Sequence, residues 1–228
     1  MFFTKKYIDK EFNQQSEVVY PPLGKGFLDL KPIKKENIIL SVGRFDQILN
    51  AKRQDVLIKA FKKMVGQGLK EWQLVLIGGL KGSSYLKKLA SLAKGLPIKI
   101  FPNAPYQKLK KYYKKAKIYW HAAGFGLDLD KEPWRAEHFG ITIIEAMATG
   151  CLPVVFNGGG LTEIVDHQKN GFLWQDLDQL IKTTSQLIKD EDKRKKIVRK
   201  SRQKSRSYNK ERFNKQLNKI FFNNEKNN

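Results

Sequence analysis

Residues 37–79 read NIILSVGRFDQILNAKRQDVLIKAFKKMVGQGLKEWQLVLIGG, and the fold class turns on this stretch. NIILSVGRF (37–45) and WQLVLIGG (72–79) are short, nearly unbroken apolar runs that lead into or end on glycine, the pattern of strands buried on both faces of a sheet. Between them, Val56, Leu57, Ala60, Phe61 and Met64 recur at helical spacing, so RQDVLIKAFKKMV (53–65) is expected as an amphipathic helix. Strand, helix and strand in that order make a crossover unit, which pairs its strands in parallel.

The alternation continues outward. Further strands are expected at IKIFPN (98–103), IYWHAAG (118–124), CLPVVF (151–156) and GFLW (171–174). Leu86, Leu89, Leu92 and Ala93 mark a second helix, and Leu109, Tyr112, Tyr113 and Ala116 a third. From about Leu177 to Phe222 the pattern is helical and increasingly charged, and the final NNEKNN is expected to fray. The fold expected is α/β, a Rossmann-like doubly wound parallel sheet with a helical C-terminus. Residues 1–36 fit this scheme poorly: SEVVYPPLGKGFLDLKP (16–32) holds one strand-like run followed by Pro and Gly, so they read as a linker behind a short helix. The division expected is a linker at 1–36, an α/β domain at 37–190 and a basic helical tail at 191–228.

The 228 residues are 41% hydrophobic and carry 44 basic against 22 acidic side chains, a formal charge of +22. That balance favours anionic partners: nucleic acid, phosphate-bearing metabolites or an acidic membrane surface. Much of the excess lies between Lys189 and Arg212. A single cysteine, Cys151, excludes an internal disulfide and a cysteine-based zinc site, which suits a reducing cytoplasm. No apolar run has the roughly 18–20 residues that span a bilayer, so contact with a membrane is expected to be peripheral.

Ligands of open parallel sheets bind beyond the carboxyl ends of the strands. There the sequence places Gly43 and Arg44, Gly78 and Gly79, Gly158 to Gly160, and the stretch EHFGITIIEA (137–146). Glycines let backbone approach a ligand, helix N-termini offer N–H groups to phosphate, and Arg44 and Lys52 flank the loop FDQILNA with two cations. By residue type alone Gly43-Arg44 reads equally well as a turn, and Glu137 as a cap for the helix dipole. If the chain is helical from Gly140, however, Glu137 and Glu145 stand about 12 Å apart along the axis. That is comparable with the span from hexose to ribose in a nucleoside-diphosphate sugar. One carboxylate would then accept hydrogen bonds from sugar hydroxyls at each end. Asp128-Leu-Asp130 reads as a solvated acidic loop.

EHFGITIIEAMATGCLPVVFNGGGLTEIV resembles the paired-glutamate signature and following Gly-rich turn of glycosyltransferase family 4, the retaining nucleotide-sugar enzymes of GT-B fold. ILSVGRF with Lys52 and LIKAF is similar to the first strand and helix of that family's C-terminal domain, and NAPYQKLKKYYKKAKIYWHAAGFG to its base-binding segment and next strand. The resemblance covers residues 37–174 in order, and TKKYIDKEF and VVYPP look like the crossover from the family's N-terminal domain. It implies the C-terminal half of a GT-B glycosyltransferase that moves a hexose from a UDP- or GDP-sugar to a glycan or lipid-linked acceptor with retention. Residues 1–36 become a crossover remnant, and the N-terminal domain is expected on a separate polypeptide or lost by truncation.

Carried over by residue, Arg44 and Lys52 hold the diphosphate and stabilise the leaving nucleotide, and Glu137 holds donor-sugar hydroxyls. Gly43 and the N–H groups of Phe139, Gly140 and Ile141 meet phosphate or sugar, Glu145 binds the ribose, and Asn103 and Ala104 lie beside the base. The motif requires no metal and no cofactor beyond the donor. His138 stands where the family usually has Gly, and the loop LDLDKEPWRA is long. Two other readings stay open on the sequence: a basic nucleic-acid-binding module, suggested by KKYYKK and KSRSYNKERF, and a catalytically silent donor-binding subunit. An enzyme of this kind is expected in the cytoplasm, peripheral on the inner face of a membrane.

Overall fold

The structure is a computed structural model, and it describes residues 1–24, 26–30, 33–46, 51–80 and 82–223. Six strands form one parallel sheet: β1 Glu36–Val42, β2 Gln73–Gly78, β3 Ile98–Pro102, β4 Ala116–His121, β5 Leu152–Phe156 and β6 Phe172–Trp174. Their order in the sheet is β3-β2-β1-β4-β5-β6. The chain therefore winds outward from β1 to β3, then returns to place β4 against the other side of β1. In such sheets the crevice for ligand opens where the winding reverses, here beyond the carboxyl ends of β1 and β4.

Alternation along each strand divides the apolar side chains between two cores. Ile39, Leu74, Leu76, Ile118, Trp120 and Val154 face one layer. Ile38, Leu40, Val75, Ile77, Tyr119 and Val155 face the other. Helices α2 (Gln54–Gly66), α3 (Ser84–Ala93) and α7 (Leu177–Lys189) cover the first face through Leu57, Phe61, Leu89 and Leu180. Helices α4 (Tyr106–Lys115), α5 (Ile141–Ala148) and the one-turn α6 (Leu161–Ile164) cover the second through Tyr113, Ile143, Ile144 and Ile164. All six expected strands and the three crossover helices between β1 and β4 are present.

One expectation is corrected. Ala116, assigned to the third helix by its apolar spacing, is the first residue of β4, because the helix ends at Lys115 and the strand follows at once. In the linker, the strand-like run SEVVY (16–20) pairs with no described strand. Parts of the described linker are tied to the domain. Helix α1 (Phe2–Phe12) is tied to α6 by hydrogen bonds from the N–H groups of Phe2 and Phe3 to the Glu163 carboxylate, at 3.0 and 2.7 Å. Leu23 and Phe27 are buried, and Phe27 meets Tyr113 edge-on at 5.4 Å. At the other end, α8 (Glu191–Ser205) and α9 (Lys210–Asn223) continue the helical tail, and α8 buries Ile197 and Ser201 against the domain. The fraying expected at the terminus falls mostly on residues 224–228, outside the described residues. Among the described residues no helix is long and apolar enough to cross a membrane.

Candidate donor-binding site

The first strand delivers Gly43 and Arg44 to the rim. Gln54, the first residue of α2, donates its side-chain amide to both of their carbonyls at 3.1 Å, which fixes the strand end against the helix start. Residues 47–50, the centre of the loop FDQILNA, lie outside the described residues, but Lys52 on its far side is placed. Its stem lies across Gly43, where a Cβ would stand 2.6 Å from Lys52 Cγ. Arg44 is exposed.

Lys52 Nζ lies 2.6 Å from Glu137 Oε2, with 15% and 16% of the two side chains exposed. The same oxygen lies 2.9 Å from Nε2 of His121, the last residue of β4, whose side chain is 2% exposed. The other ring nitrogen, Nδ1, accepts a hydrogen bond from the Ala123 N–H at 3.2 Å. An accepting Nδ1 carries no proton, so the proton of a neutral imidazole sits on Nε2 and points at the carboxylate. Burial brings the His121 pKa down to about 4 despite the pull of Glu137, so at neutral pH the contact is a neutral hydrogen bond, not an ion pair. Burial pushes the Glu137 carboxyl up, but Lys52 and His121 outweigh it and hold the group below its ordinary value. Glu137 is thus an anion with one charged and one neutral donor.

The backbone that carries Glu137 is shaped by glycine. Gly140 has φ of +85° and opens α5. Gly160 passes so close that a Cβ there would stand 1.7 Å from the His138 carbonyl oxygen, and its own N–H donates to the Glu137 carbonyl at 2.8 Å. The Gly-rich turn after β5 therefore clamps the 137–140 loop from below. Phe139, Gly140 and Ile141 stand at the start of α5, where a helix leaves its first N–H groups without intrahelical partners. The Phe139 side chain is core, 9% exposed and set between the rings of Tyr20 and Tyr208.

One helical turn further, Glu145 accepts a hydrogen bond from the Tyr113 hydroxyl at 2.8 Å. Burial raises the Glu145 pKa against that single donor, and burial also pushes Tyr113 far above the ordinary phenol value, so Tyr113 stays a donor. Tyr119 stacks on Tyr113 with ring centres 6.2 Å apart, and its hydroxyl reaches the Val42 carbonyl at 3.1 Å, joining α4, β4 and the end of β1.

Gly43, Arg44, Asn103 and Ala104 line one cavity of about 360 Å³ with Gly78, Gly79 and Leu109. Asn103 is in the left-handed region, φ +50°, and its side chain caps the Leu80 N–H at 2.9 Å. The structure thus brings the expected site residues into three adjoining groups: the cavity, the Lys52–Glu137–His121 cluster and the Tyr113–Glu145 pair. His121 and Tyr113 were not singled out as site residues by sequence; the only signal was a polar residue closing the apolar run IYWH and a tyrosine on a buried helix face. Asp128 is engaged in its own turn, accepting from the Asp130 N–H at 3.2 Å, and is exposed. His138 lies at the loop's edge, 3.3 Å from the Pro133 carbonyl and beside Phe3.

Comparison with known proteins bears on the family and the fold. Residues 29–204 match the family described as glycosyl transferases group 1. A GDP-Man:Man(3)GlcNAc(2)-PP-Dol alpha-1,2-mannosyltransferase of Xenopus laevis is 33% identical over 182 residues, 73% of this chain and 35% of the relative. The chain thus spans about a third of the length of that relative. Among solved structures, a glycosyltransferase of Rickettsia africae superposes with a TM-score of 0.80 at 19% identity, over 100% of this chain and 62% of that one. Anabaena HepE, solved in complex with UDP, gives 0.63 at 24% identity, over 81% and 48%. At these identities the solved structures speak for the fold, which is that of GT-B glycosyltransferases. By the extent of the family match and the identity to the Xenopus relative, the chain belongs to the glycosyl transferases group 1 family.

Proposed function

We propose that this chain binds a GDP-sugar, with mannose as the sugar, and serves a retaining hexosyl transfer of the family 4 type to a lipid-linked glycan. The observation that carries the reading is the meeting, at the switch point of the sheet, of a cation-flanked cavity, the buried Lys52–Glu137 pair and a helix N-terminus. The choice of GDP and mannose rests on the names of the relatives, six of which are GDP-mannose enzymes of one description.

In this reading Arg44 and Lys52 take the diphosphate, together with the N–H groups of Phe139, Gly140 and Ile141. Glu137 takes hydroxyls of the transferred sugar, Glu145 the ribose, and Gly43, Asn103 and Ala104 border the nucleotide. The bond from the anomeric carbon to the diphosphate breaks, and its electron pair leaves with the nucleotide. Positioned cations act most strongly on such developing charge. The acceptor hydroxyl oxygen bonds to the same face of the sugar, and its proton passes to the departing phosphate oxygen. Since the two side-chain cations and the helix N-terminus supply the positive charge, no metal is assigned a role. Residues 37–190 form the donor-binding domain, 1–36 the crossover and 191–228 the basic tail, on a protein peripheral to the cytoplasmic face of a membrane.

The test is thermal stabilisation by GDP-mannose, UDP-glucose and ADP-glucose, with and without a chelator. GDP-mannose should give the largest rise, unchanged by the chelator. A rise with none of the three overturns the reading, and a larger rise with UDP-glucose overturns the choice of base.

A further inference from the structure

At the opposite edge of the sheet, where the strands begin, the starts of β1 and β4, the end of α5 and one face of α8 enclose a second pocket of about 280 Å³. It is lined by six cations, Lys35, Lys117, Arg194, Lys195, Arg199 and Arg202, and by the single carboxylate of Glu191. The four from α8 and Glu191 share one helical face, with offsets of 3, 4, 8 and 11 residues from Glu191. Arg194 on that face is buried against the domain and Arg202 half-buried, while Lys195 and Arg199 stand exposed at the pocket's rim. The chain's general excess of lysine and arginine does not require this convergence, because the cations come from three regions far apart in sequence.

Several of the cations have internal roles. Lys35 donates to the carbonyls of Ala116 and Thr149 at 2.9 and 2.8 Å, closing the ends of two elements. Arg194 donates to the Leu187 carbonyl at 2.7 Å, and Lys195 pairs with Glu191 at 3.0 Å. Arg199 and Arg202 have no carboxylate within ion-pair distance among the described residues. The crowding of like charge acts on the neighbours. Burial brings Lys35 down to about 8 with Arg202 adding to the effect, and burial followed by Arg194 lowers Lys117. A fold that gathers like charges in a concave place is stabilised by an anion that fills it. Two arginines lining one pocket suit phosphate oxygens, which a guanidinium can meet in a bidentate pair.

We propose that this pocket is a second anion site, for a ligand bearing two or more phosphate charges, either a free polyphosphate or a phosphorylated lipid headgroup. It lies about 25 Å from the donor cleft, the length of β1 with its flanking residues, and it stands independently of the function proposed for that cleft.

The test uses the full chain, its Arg199→Gln/Arg202→Gln variant and a donor-cleft variant, Lys52→Gln, at constant ionic strength. Sodium tripolyphosphate should raise the melting temperature of the parent and of Lys52→Gln, and its affinity should fall about tenfold in the double variant. Relief of repulsion should leave the unliganded double variant at least as stable as the parent; should it misfold, Arg199→Gln alone, at an exposed position, carries the comparison. Flotation with phosphatidic-acid-containing vesicles, but not with phosphatidylcholine alone, that is lost in the same variant assigns the lipid source. A tripolyphosphate shift without flotation assigns the free one. A shift that persists in the double variant, that disappears in Lys52→Gln instead, or that sodium chloride reproduces overturns the proposal. So does tight RNA binding that tripolyphosphate does not displace.

Discussion

Replacing His121 by Gln should flatten the acid side of the stability curve. The imidazole is 2% exposed and held neutral, with a folded-state pKa of about 4 against 6.5 for the free group. Between those values the unfolded chain binds a proton that the folded chain refuses, so stability rises with pH there and falls on acidification. Integrating between the two states gives a loss of about 2 kcal/mol from His121 alone on going from pH 7 to pH 5, and about 3 kcal/mol once pH 4 is passed. Gln cannot take that proton, yet its amide can still donate toward Glu137. Titrating groups remote from position 121 are common to both proteins and cancel in the comparison, and the Gln amide leaves Glu137 a neutral donor beside Lys52. Urea unfolding at the two pH values measures the difference: the parent should lose about 2 kcal/mol more than His121→Gln. Equal losses would show that the ring takes up its proton as readily in the folded state as in the unfolded one, and burial would not be what keeps it neutral.

Tyr113→Phe keeps the ring packing on Phe27 and Tyr119 but removes the hydrogen bond to Glu145; nucleotide affinity by calorimetry should fall about fivefold, and an unchanged value would separate Glu145 from the ribose. Gly160→Ala places a methyl group against the His138 carbonyl, so it should lower stability by about 3 kcal/mol and weaken donor binding through the 137–140 loop. Thermal unfolding within a degree of the parent would count against that clamp. Glu163→Gln removes the charge that caps α1; limited proteolysis should cut within residues 1–12 faster while the melting temperature changes little.

The sheet was legible because parallel strands covered on both faces have no polar side to display. NIILSV shows this: Ile39 enters one core, Ile38 and Leu40 the other, and the sequence records both as one apolar run. Boundaries were less so. Ala116 obeys the helical period of α4 by coincidence of spacing, and only the ladder with β1 makes it strand. Within the site, residues that announce themselves by type in a loop, such as Arg44, Lys52 and Glu137, could be named from sequence. His121 and Tyr113 could not, since each lies in an element whose periodicity accounts for it fully, and its polar atom finds its partner 16 or 32 residues away.

The pairing of Lys52 with Glu137 bears on which ligands the proposed site can accept. In the free protein the cation assigned to the diphosphate already holds the carboxylate assigned to the sugar, at 2.6 Å and mostly out of water. Separating such a pair leaves uncompensated charge in a partly buried place unless both members find new partners. An isolated phosphate satisfies Lys52 and strands Glu137 with the neutral His121 donor alone; a free sugar does the reverse. A nucleoside-diphosphate sugar presents phosphate oxygens to one and hydroxyls to the other in a single molecule. In the function proposed above, the pair would therefore favour the intact donor over its fragments, and once the sugar had left the two side chains would be free to pair again.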